Sequence, residues 1–192
     1  MKIAAVLGLI LAVALSGTLA FIYSGVYDIA ATTPHFPLTH RVLRTVMEQS
    51  IKRQARDVSV PELDDPEKVH VGLKNFSEMC VVCHGAPGSA ASEMSKGLYP
   101  QAPNLAQAAK DWTPAELYVI IKRGIKMSGM PAWEPTHSGE EIWALVAFLK
   151  LLPAMPEAEY REAVEYYEKN VGDKGKEMHG RHATAPAADS RK

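Results

Sequence analysis

The sequence predicts an all-α protein made of an N-terminal transmembrane helix and one helical domain with flanking segments. Residues 3–27 contain no charged side chain, and this run exceeds the roughly 20 residues that a helix needs to cross a bilayer. Further along, apolar residues recur at every third or fourth position, and no stretch alternates as a strand does. The 192 residues allow one domain with appendages. The formal net charge of −1 excludes a nucleic-acid-binding protein of the strongly basic kind.

Residues 1–27 are predicted to be a membrane anchor. The alternative is a cleaved signal peptide, for which Thr18 and Ala20 offer small residues at a cleavage site. The apolar run is longer than the usual core of a signal peptide and continues past Ala20 to Tyr27, which favours a retained helix. Tyr23 and Tyr27 would then lie at the membrane–water interface, where tyrosine is enriched.

Residues 28–65 are predicted to be a connector that contains an amphipathic helix over 38–56. This helix either packs on the domain as a solvated connector or lies on anionic lipid headgroups or on a partner subunit. The segment is also rich in basic residues, which by the positive-inside tendency would keep it in the cytoplasm. One face of the helix carries Leu38, Val42, Val46 and Gln49, and the basic residues are Arg41, Arg44, Lys52, Arg53 and Arg56.

Residues 66–152 are predicted to be the domain itself. Asp65 and Pro66 form an N-cap and a first-turn proline, so they open a helix. Thr113 and Ser138 are each followed three residues later by a glutamate, and these two capping boxes open two more helices. The domain is therefore expected to be built from helices connected by irregular loops.

Two further segments follow the domain. Residues 153–172 are predicted to hold an amphipathic helix that Pro156 opens, and the polar, aperiodic residues 173–192 are predicted to be a disordered tail. Charge is unevenly distributed, because residues 58–172 contain 16 Asp and Glu against 10 Lys and Arg. The near-neutral total therefore hides an acidic domain between more basic flanks.

Both cysteines of the chain lie in the C-x-x-C-H sequence Cys80-Val81-Val82-Cys83-His84. In this pattern each thiol forms a thioether with one haem vinyl group and the adjoining histidine binds the iron. A thioredoxin-like dithiol needs a βαβ context, a zinc site needs a second pair of ligands, and a disulfide in so short a loop stabilises little. The motif uses every cysteine and follows a membrane-targeting segment, which favours one covalently bound haem c.

Met130 is the candidate for the second axial ligand of the haem iron. It lies 46 residues after His84 (130 − 84), in a loop between two predicted helices, and Pro131 restricts the approach of its thioether. Met127 in the same loop is the alternative, and any methionine can simply fill a hydrophobic core. The histidines that are candidates in principle are His35, His70 and His137, with His179 and His182 in the tail.

Residues 66–152 resemble the class I c-type cytochromes, specifically the membrane-anchored monohaem ones. The resemblance implies an all-α domain whose first and last helices cross beside the haem, with Gly72 permitting the close crossing. Phe76 would pack on Trp143 or its neighbours. The features that carry the resemblance are Gly72 and Phe76 ahead of the haem motif, Ala102-Pro103-Asn104-Leu105, the SGMPAW sequence around Met130, and the Trp143-containing helix that ends at Leu152-Pro153.

The same resemblance implies roles for residues around the haem. The carbonyl of Pro103 would accept a hydrogen bond from Nδ1 of His84 and so fix the ring, and Leu105 would pack on the haem. Residues 85–101 form an insertion relative to the smallest members of the family. The resemblance also places the haem domain in the periplasm, with the anchor in the cytoplasmic membrane and its N-terminus inside, against the positive-inside tendency.

A haem whose axial positions are filled by His84 and Met130 has no vacant position for a substrate, so electron transfer is expected rather than catalysis. We expect a membrane-tethered periplasmic carrier, not an enzyme, between a respiratory or dehydrogenase donor and a terminal acceptor such as an oxidase. Its partners are redox proteins and the membrane, and no nucleic acid. The alternatives are a fixed cytochrome c subunit of a larger membrane complex, and a haem-based sensor or peroxidase with a labile Met130.

A basic cluster just before Met130 has two interpretations. It either forms a rim that attracts a redox partner or complements the negative end of a helix dipole. Its members are Lys122, Arg123 and Lys126.

Overall fold

A computed structural model describes residues 2–170 of the chain. Within that range every regular element is helical, so the predicted all-α class is confirmed. The chain divides into two compact units, one up to Phe36 and one from Pro37 onward. The predicted disordered tail, 173–192, lies outside the described residues.

The first unit contains the apolar helix α1, which runs from Lys2 to Tyr23. Among the described residues it is the one helix that is long and apolar enough to span a membrane, with a mean hydropathy of 2.5. None of its residues is buried within the structure. The segment after α1 is held by Asp28, whose carboxylate accepts hydrogen bonds from the Ala30 amide (2.9 Å) and the Thr33 hydroxyl (2.7 Å).

Three helices of the second unit begin at the caps that the sequence predicts. The Asp65 carboxylate accepts a hydrogen bond from the Glu67 amide (3.0 Å), and both capping boxes form, with Thr113 and Ser138 as their N-caps. The helices are α2 (Pro37–Ala55), α3 (Pro66–Asn75), α4 (Val81–His84), α5 (Glu93–Lys96), α6 (Leu105–Ala108), α7 (Pro114–Arg123), α8 (Gly139–Leu151) and α9 (Glu157–Asn170).

The core of this unit is the crossing of α3 and α8. A Cβ atom placed on Gly72 would lie only 2.0 Å from the Ala144 carbonyl oxygen and 2.8 Å from Cβ of Phe148. The two helix backbones therefore approach so closely that no larger residue fits at position 72. The structure thus contains the close crossing of first and last domain helices that the resemblance implies.

The aromatic packing differs in detail from the expectation for Trp143. Phe76 is fully buried and packs on Phe148, with ring centroids 5.1 Å apart, and on Tyr160, at 6.1 Å. Trp143 instead stacks on Tyr118 of α7 at 4.2 Å. The partner of Phe76 is therefore a residue one and a half turns further along α8, on the side that faces α3.

Helix α2 packs on α7 through its C-terminal half, where Ile51 and Ala55 are buried. The apolar stripe that the sequence singles out does not make this contact. Its members Leu38, Val42 and Val46 are all exposed.

Helix α9 adds a buried aromatic side chain to the core although it lies beyond the predicted domain. Tyr160 is 8% exposed and packs edge-on against Phe76. We expect Tyr160→Ala to lower the free energy of unfolding by about 3 kcal/mol, because the substitution removes a buried ring and leaves a cavity. Denaturant unfolding followed by circular dichroism measures this change.

The control on the same helix is Glu162→Ala, at an exposed position. Its effect should stay within about 0.5 kcal/mol, as is usual for surface substitutions. Equal effects of the two variants would show that α9 does not contribute to the core.

Candidate haem site

The haem-attachment motif begins at a local irregularity of the helix. Residues Phe76–Cys80 form a π-helical turn between α3 and α4, a feature that is often found at functional sites. A π-helical turn contains more residues per turn than an α-helix. It therefore changes the direction in which the Cys80 side chain, which follows it, leaves the helix.

Cys80 and Cys83 are not joined by a disulfide, and both are half-buried. Burial, with a smaller contribution from Cys83, raises the pKa of Cys80 to about 12. The apolar surroundings therefore disfavour a thiolate at Cys80. Apolar surroundings of this kind suit a neutral thioether, which has no charged form.

His84 is fixed by the predicted hydrogen bond. Its Nδ1 lies 2.7 Å from the carbonyl oxygen of Pro103. That carbonyl is positioned by the start of α6, where the Asn104 side chain accepts a hydrogen bond from the Ala106 amide (2.9 Å). A proton on Nδ1 donated to this carbonyl leaves the lone pair of Nε2 free for a metal.

Burial lowers the pKa of His84, and the bond to Pro103 offsets this only in part. The neutral imidazole, which is the form that binds a metal, is therefore favoured. The orientation and the protonation state both suit His84 as a ligand.

The loop that carries Met130 is held against the end of α7. The Ile125 amide donates to the Met130 carbonyl (3.1 Å), the Met130 amide donates to the Ser128 hydroxyl (3.2 Å), and the Trp133 amide donates to the Ile121 carbonyl (3.2 Å). The Met130 side chain is half-buried and packs on the hydrophobic core, as do Cys80 and Leu105. The structure therefore gathers these site residues around one core.

Met127 occupies a different environment from Met130. Its side chain is 73% exposed and its backbone lies in the left-handed region, with φ of 62°. Of the histidines considered, His70 is exposed, and the His137 ring lies edge-on to Trp133 with centroids 5.1 Å apart. His35 belongs to the first unit, where Nδ1 meets the Tyr27 hydroxyl at 2.9 Å, and His179 and His182 lie outside the described residues.

The inserted loop 85–101 folds back onto the site, which sequence reasoning missed. The Ser92 hydroxyl donates to the Val82 carbonyl within the haem motif, and Sδ of Met94 lies 3.8 Å from Sγ of Cys83. Leu98 reaches the other side of the site, since a Cβ on Gly129 would lie 2.6 Å from its Cδ2. The insertion therefore touches both the attachment motif and the Met130 loop. The sequence held only a weak signal, a serine able to cap a single helical turn.

The predicted basic rim is smaller than its sequence suggests. Lys122 forms an ion pair with Glu134 (3.1 Å), and its ammonium group lies 5.6 Å from the centre of the Tyr118 ring. Arg123 and Lys126 are exposed. Any attraction for an acidic partner at this place therefore depends mainly on those two residues.

The residues present fit a covalently bound haem. Cys80 and Cys83 stand three residues apart and are not joined by a disulfide, and the imidazole of the next residue is oriented by its hydrogen bond. The half-buried thioether of Met130 packs on the same core as Cys80. Among residues 2–170 there is no cluster of three or more His, Cys, Asp or Glu side chains that could bind a metal ion in another way. A haem held by such a set of residues is typical of the monohaem class I c-type cytochromes.

Comparison with known families agrees with this class. The family model described as "Cytochrome C oxidase, cbb3-type, subunit III" matches residues 67–149. That region is a c-type cytochrome domain, and the cofactor it implies is covalently bound haem c. Comparison with curated proteins found no significant match.

The Gly124→Ala substitution is expected to disturb the Met130 loop. Gly124 has φ of 63°, and an added Cβ would lie 2.5 Å from the Pro131 carbonyl carbon and 2.7 Å from the Met130 carbonyl oxygen. Backbone atoms cannot move aside cheaply, so strain and clash together should cost about 2 kcal/mol or more. We expect a weakened methionine–iron charge-transfer band in the oxidised protein.

Gly129→Ala is the control in the same loop. The three atoms nearest to its added Cβ would all belong to the flexible Leu98 side chain, with Cδ2 nearest at 2.6 Å, so that side chain can move aside and the band should persist. A band that survives in both variants would mean that the contact between Gly124 and Pro131 does not hold the loop.

Proposed function

We propose that this protein is a membrane-tethered electron-transfer cytochrome with a single haem c. Cys80 and Cys83 hold the haem covalently, and His84 and Met130 are the axial ligands of its iron. The observation that carries the proposal is the 2.7 Å contact between Nδ1 of His84 and the Pro103 carbonyl, which directs the other ring nitrogen towards a ligand. Electrons pass between a respiratory or dehydrogenase donor and a terminal acceptor such as an oxidase.

The bound haem supplies a centre that alternates between Fe(III) and Fe(II). The chain's own residues set the conditions for that change. Pro103 keeps the His84 ring in one orientation, the Met130 loop supplies a second ligand, and the buried core excludes water. A thioether ligand raises the potential, and two protein ligands leave no position for a substrate. Because little in this arrangement needs to move, the protein suits electron transfer.

The proposed location is the periplasmic face of the cytoplasmic membrane. The apolar helix α1 is long enough to act as the anchor. The family likeness supports a haem domain outside the cytoplasm, because haem is attached to such domains there. The anchor then keeps the haem at a high effective concentration near membrane-bound partners.

A second candidate function is a fixed cytochrome subunit of a larger membrane complex. The name of the matching family favours it, since that name describes a subunit of a cbb3-type oxidase. Helices α2 and α9 also lie outside the matched region and offer surface for other subunits. Extraction in a mild detergent separates the two candidates, because a fixed subunit is recovered with its complex and a carrier is recovered alone.

Carbon monoxide tests the proposed ligation in the full-length holoprotein. Reduced protein with both axial positions filled should show a sharp α band that carbon monoxide leaves unchanged. The oxidised protein should show the charge-transfer band of a methionine–iron bond. Rapid formation of a carbon monoxide complex would contradict electron transfer as the primary function and favour the sensor or peroxidase alternative.

A further inference from the structure

Helix α2 has two faces in different environments. One face is packed on α7, where Ile51 is 6% exposed. The other carries Leu38, Val42 and Val46, which are 73%, 51% and 61% exposed. These aliphatic residues follow each other at intervals of four, so they form a continuous apolar stripe along one side of the helix.

The stripe points away from the cytochrome domain. Val42 and Ile51 are nine residues apart, which is about two and a half helical turns, so they lie on opposite sides of α2. Packing of α2 on the domain therefore leaves the stripe uncovered. A row of exposed aliphatic side chains signals a contact with another surface.

Charge around the stripe indicates what kind of surface this is. Arg41 and Thr45 flank Val42 and Val46 around a shallow depression. The acidic residue of α2, Glu48, is paired with Arg44 at 2.8 Å. With Arg41, Arg44, Lys52 and Arg53 against Glu48, the helix carries a net charge of +3, in contrast to the acidic domain on which it is packed. Guanidinium groups beside aliphatic residues suit anionic phosphates above an apolar layer.

The length of chain between α1 and α2 allows α2 to reach the bilayer surface. Pro37 begins α2 only 14 residues after Tyr23, the last residue of α1 (37 − 23), and such a segment spans at most about 50 Å. A bilayer is therefore within reach of α2 without any partner protein. A single narrow row of aliphatic residues also matches shallow insertion between headgroups better than a broad protein interface.

We propose that the stripe Leu38–Val42–Val46 docks on the membrane surface, with its aliphatic side chains at the acyl boundary and Arg41 on anionic headgroup phosphates. The inference rests on the proposed membrane tether and goes beyond it. Docking adds a second attachment to the membrane, which holds the cytochrome domain at a fixed height and in a fixed orientation. It also accounts for the basic residues that follow the membrane span.

Tryptophan quenching in nanodiscs tests the docking in the full-length holoprotein. Val42→Trp is compared with Leu151→Trp, a control at an aliphatic position that is 46% exposed on α8, and the parent chain gives the background. The discs contain phosphatidylcholine and phosphatidylglycerol brominated near the headgroup. We expect the added fluorescence of Val42→Trp to be quenched at least about twofold more than that of the control. Equal quenching at the two positions would overturn the proposal.

The role of the arginine is tested by a charge variant. In the double variant Arg41→Gln, Val42→Trp, the ratio of docked to undocked helix is obtained from the same quenching measurement. It should fall by about fivefold in discs with phosphatidylglycerol. An unchanged ratio would overturn the role of anionic headgroups. Haem absorbance in the fraction that contains the nanodiscs measures the membrane tether separately. Protein that elutes without lipid would contradict both the tether and the docking. The haem spectrum of every variant should stay unchanged, so failure of docking leaves the proposed electron transfer intact.

Discussion

Met130→Ala is expected to lower the reduction potential and to open the haem iron to carbon monoxide. The substitution removes the half-buried thioether that packs on the same core as Cys80 and Leu105, and a water molecule or an empty position takes its place. Loss of a thioether ligand destabilises Fe(II) relative to Fe(III). The potential should fall by on the order of 0.1 V or more, since axial ligands set haem potentials over roughly 0.8 V. Redox titration measures the fall.

Met127→Ala is the matched control for this change. Met127 lies three residues earlier in the same loop, but its side chain is 73% exposed, so its removal should leave the potential and the spectrum unchanged. If Met127→Ala shifted the potential and Met130→Ala did not, the assignment of the axial ligand would be reversed.

Gly72→Ala is expected to destabilise the whole cytochrome domain. Alanine is the better helix former by about 1 kcal/mol, so helix propensity alone predicts stabilisation. The added Cβ, however, would lie 2.0 Å from the Ala144 carbonyl oxygen and 2.7 Å from its carbonyl carbon. Because both are backbone atoms, α3 and α8 must separate, which loosens contacts along the crossing. We expect a net loss of about 3 kcal/mol or more in the free energy of unfolding.

Gly97→Ala is the control for the glycine substitution. A Cβ at position 97 would meet the carbonyl oxygens of Met94 and Glu93 at 3.6 and 3.8 Å, which is ordinary van der Waals contact. This variant should unfold at about the same denaturant concentration as the parent. Equal stability of Gly72→Ala and the parent would contradict the close crossing of α3 and α8.

Local signals in the sequence predicted the three longest helices of the domain, α3, α7 and α8. Asp65, Thr113 and Ser138 cap helices where their patterns indicate, because N-capping depends on neighbours within one turn. The Cys80–His84 motif was readable for the same reason, since its chemistry is contained in five consecutive residues. The bond from His84 to Pro103 spans 19 residues, so its prediction needed the family resemblance.

Contacts between distant segments were not predictable in the same way. Nothing local to Ser92 or Met94 shows that the inserted loop returns to Val82 and Cys83. Tyr160 lies in a helix whose periodicity is clear, but periodicity does not say which core a side chain joins. In α2 the sequence shows the stripe of Leu38, Val42 and Val46 but leaves open what it contacts, and the residue buried on the side of α7 is Ile51. Choosing between two faces requires knowledge of the partner surface.

Proton NMR of the reduced holoprotein, with its methionine methyl groups labelled, shows directly which methionine binds the haem iron. A methyl group bound to haem iron lies above the porphyrin ring, so the ring current moves its signal far upfield of all others. We expect one of the eight methionine signals to have this upfield position, to disappear in Met130→Ala and to persist in Met127→Ala. A spectrum without an upfield methionine methyl signal, or one whose signal survives Met130→Ala, would contradict ligation of the haem by His84 and Met130.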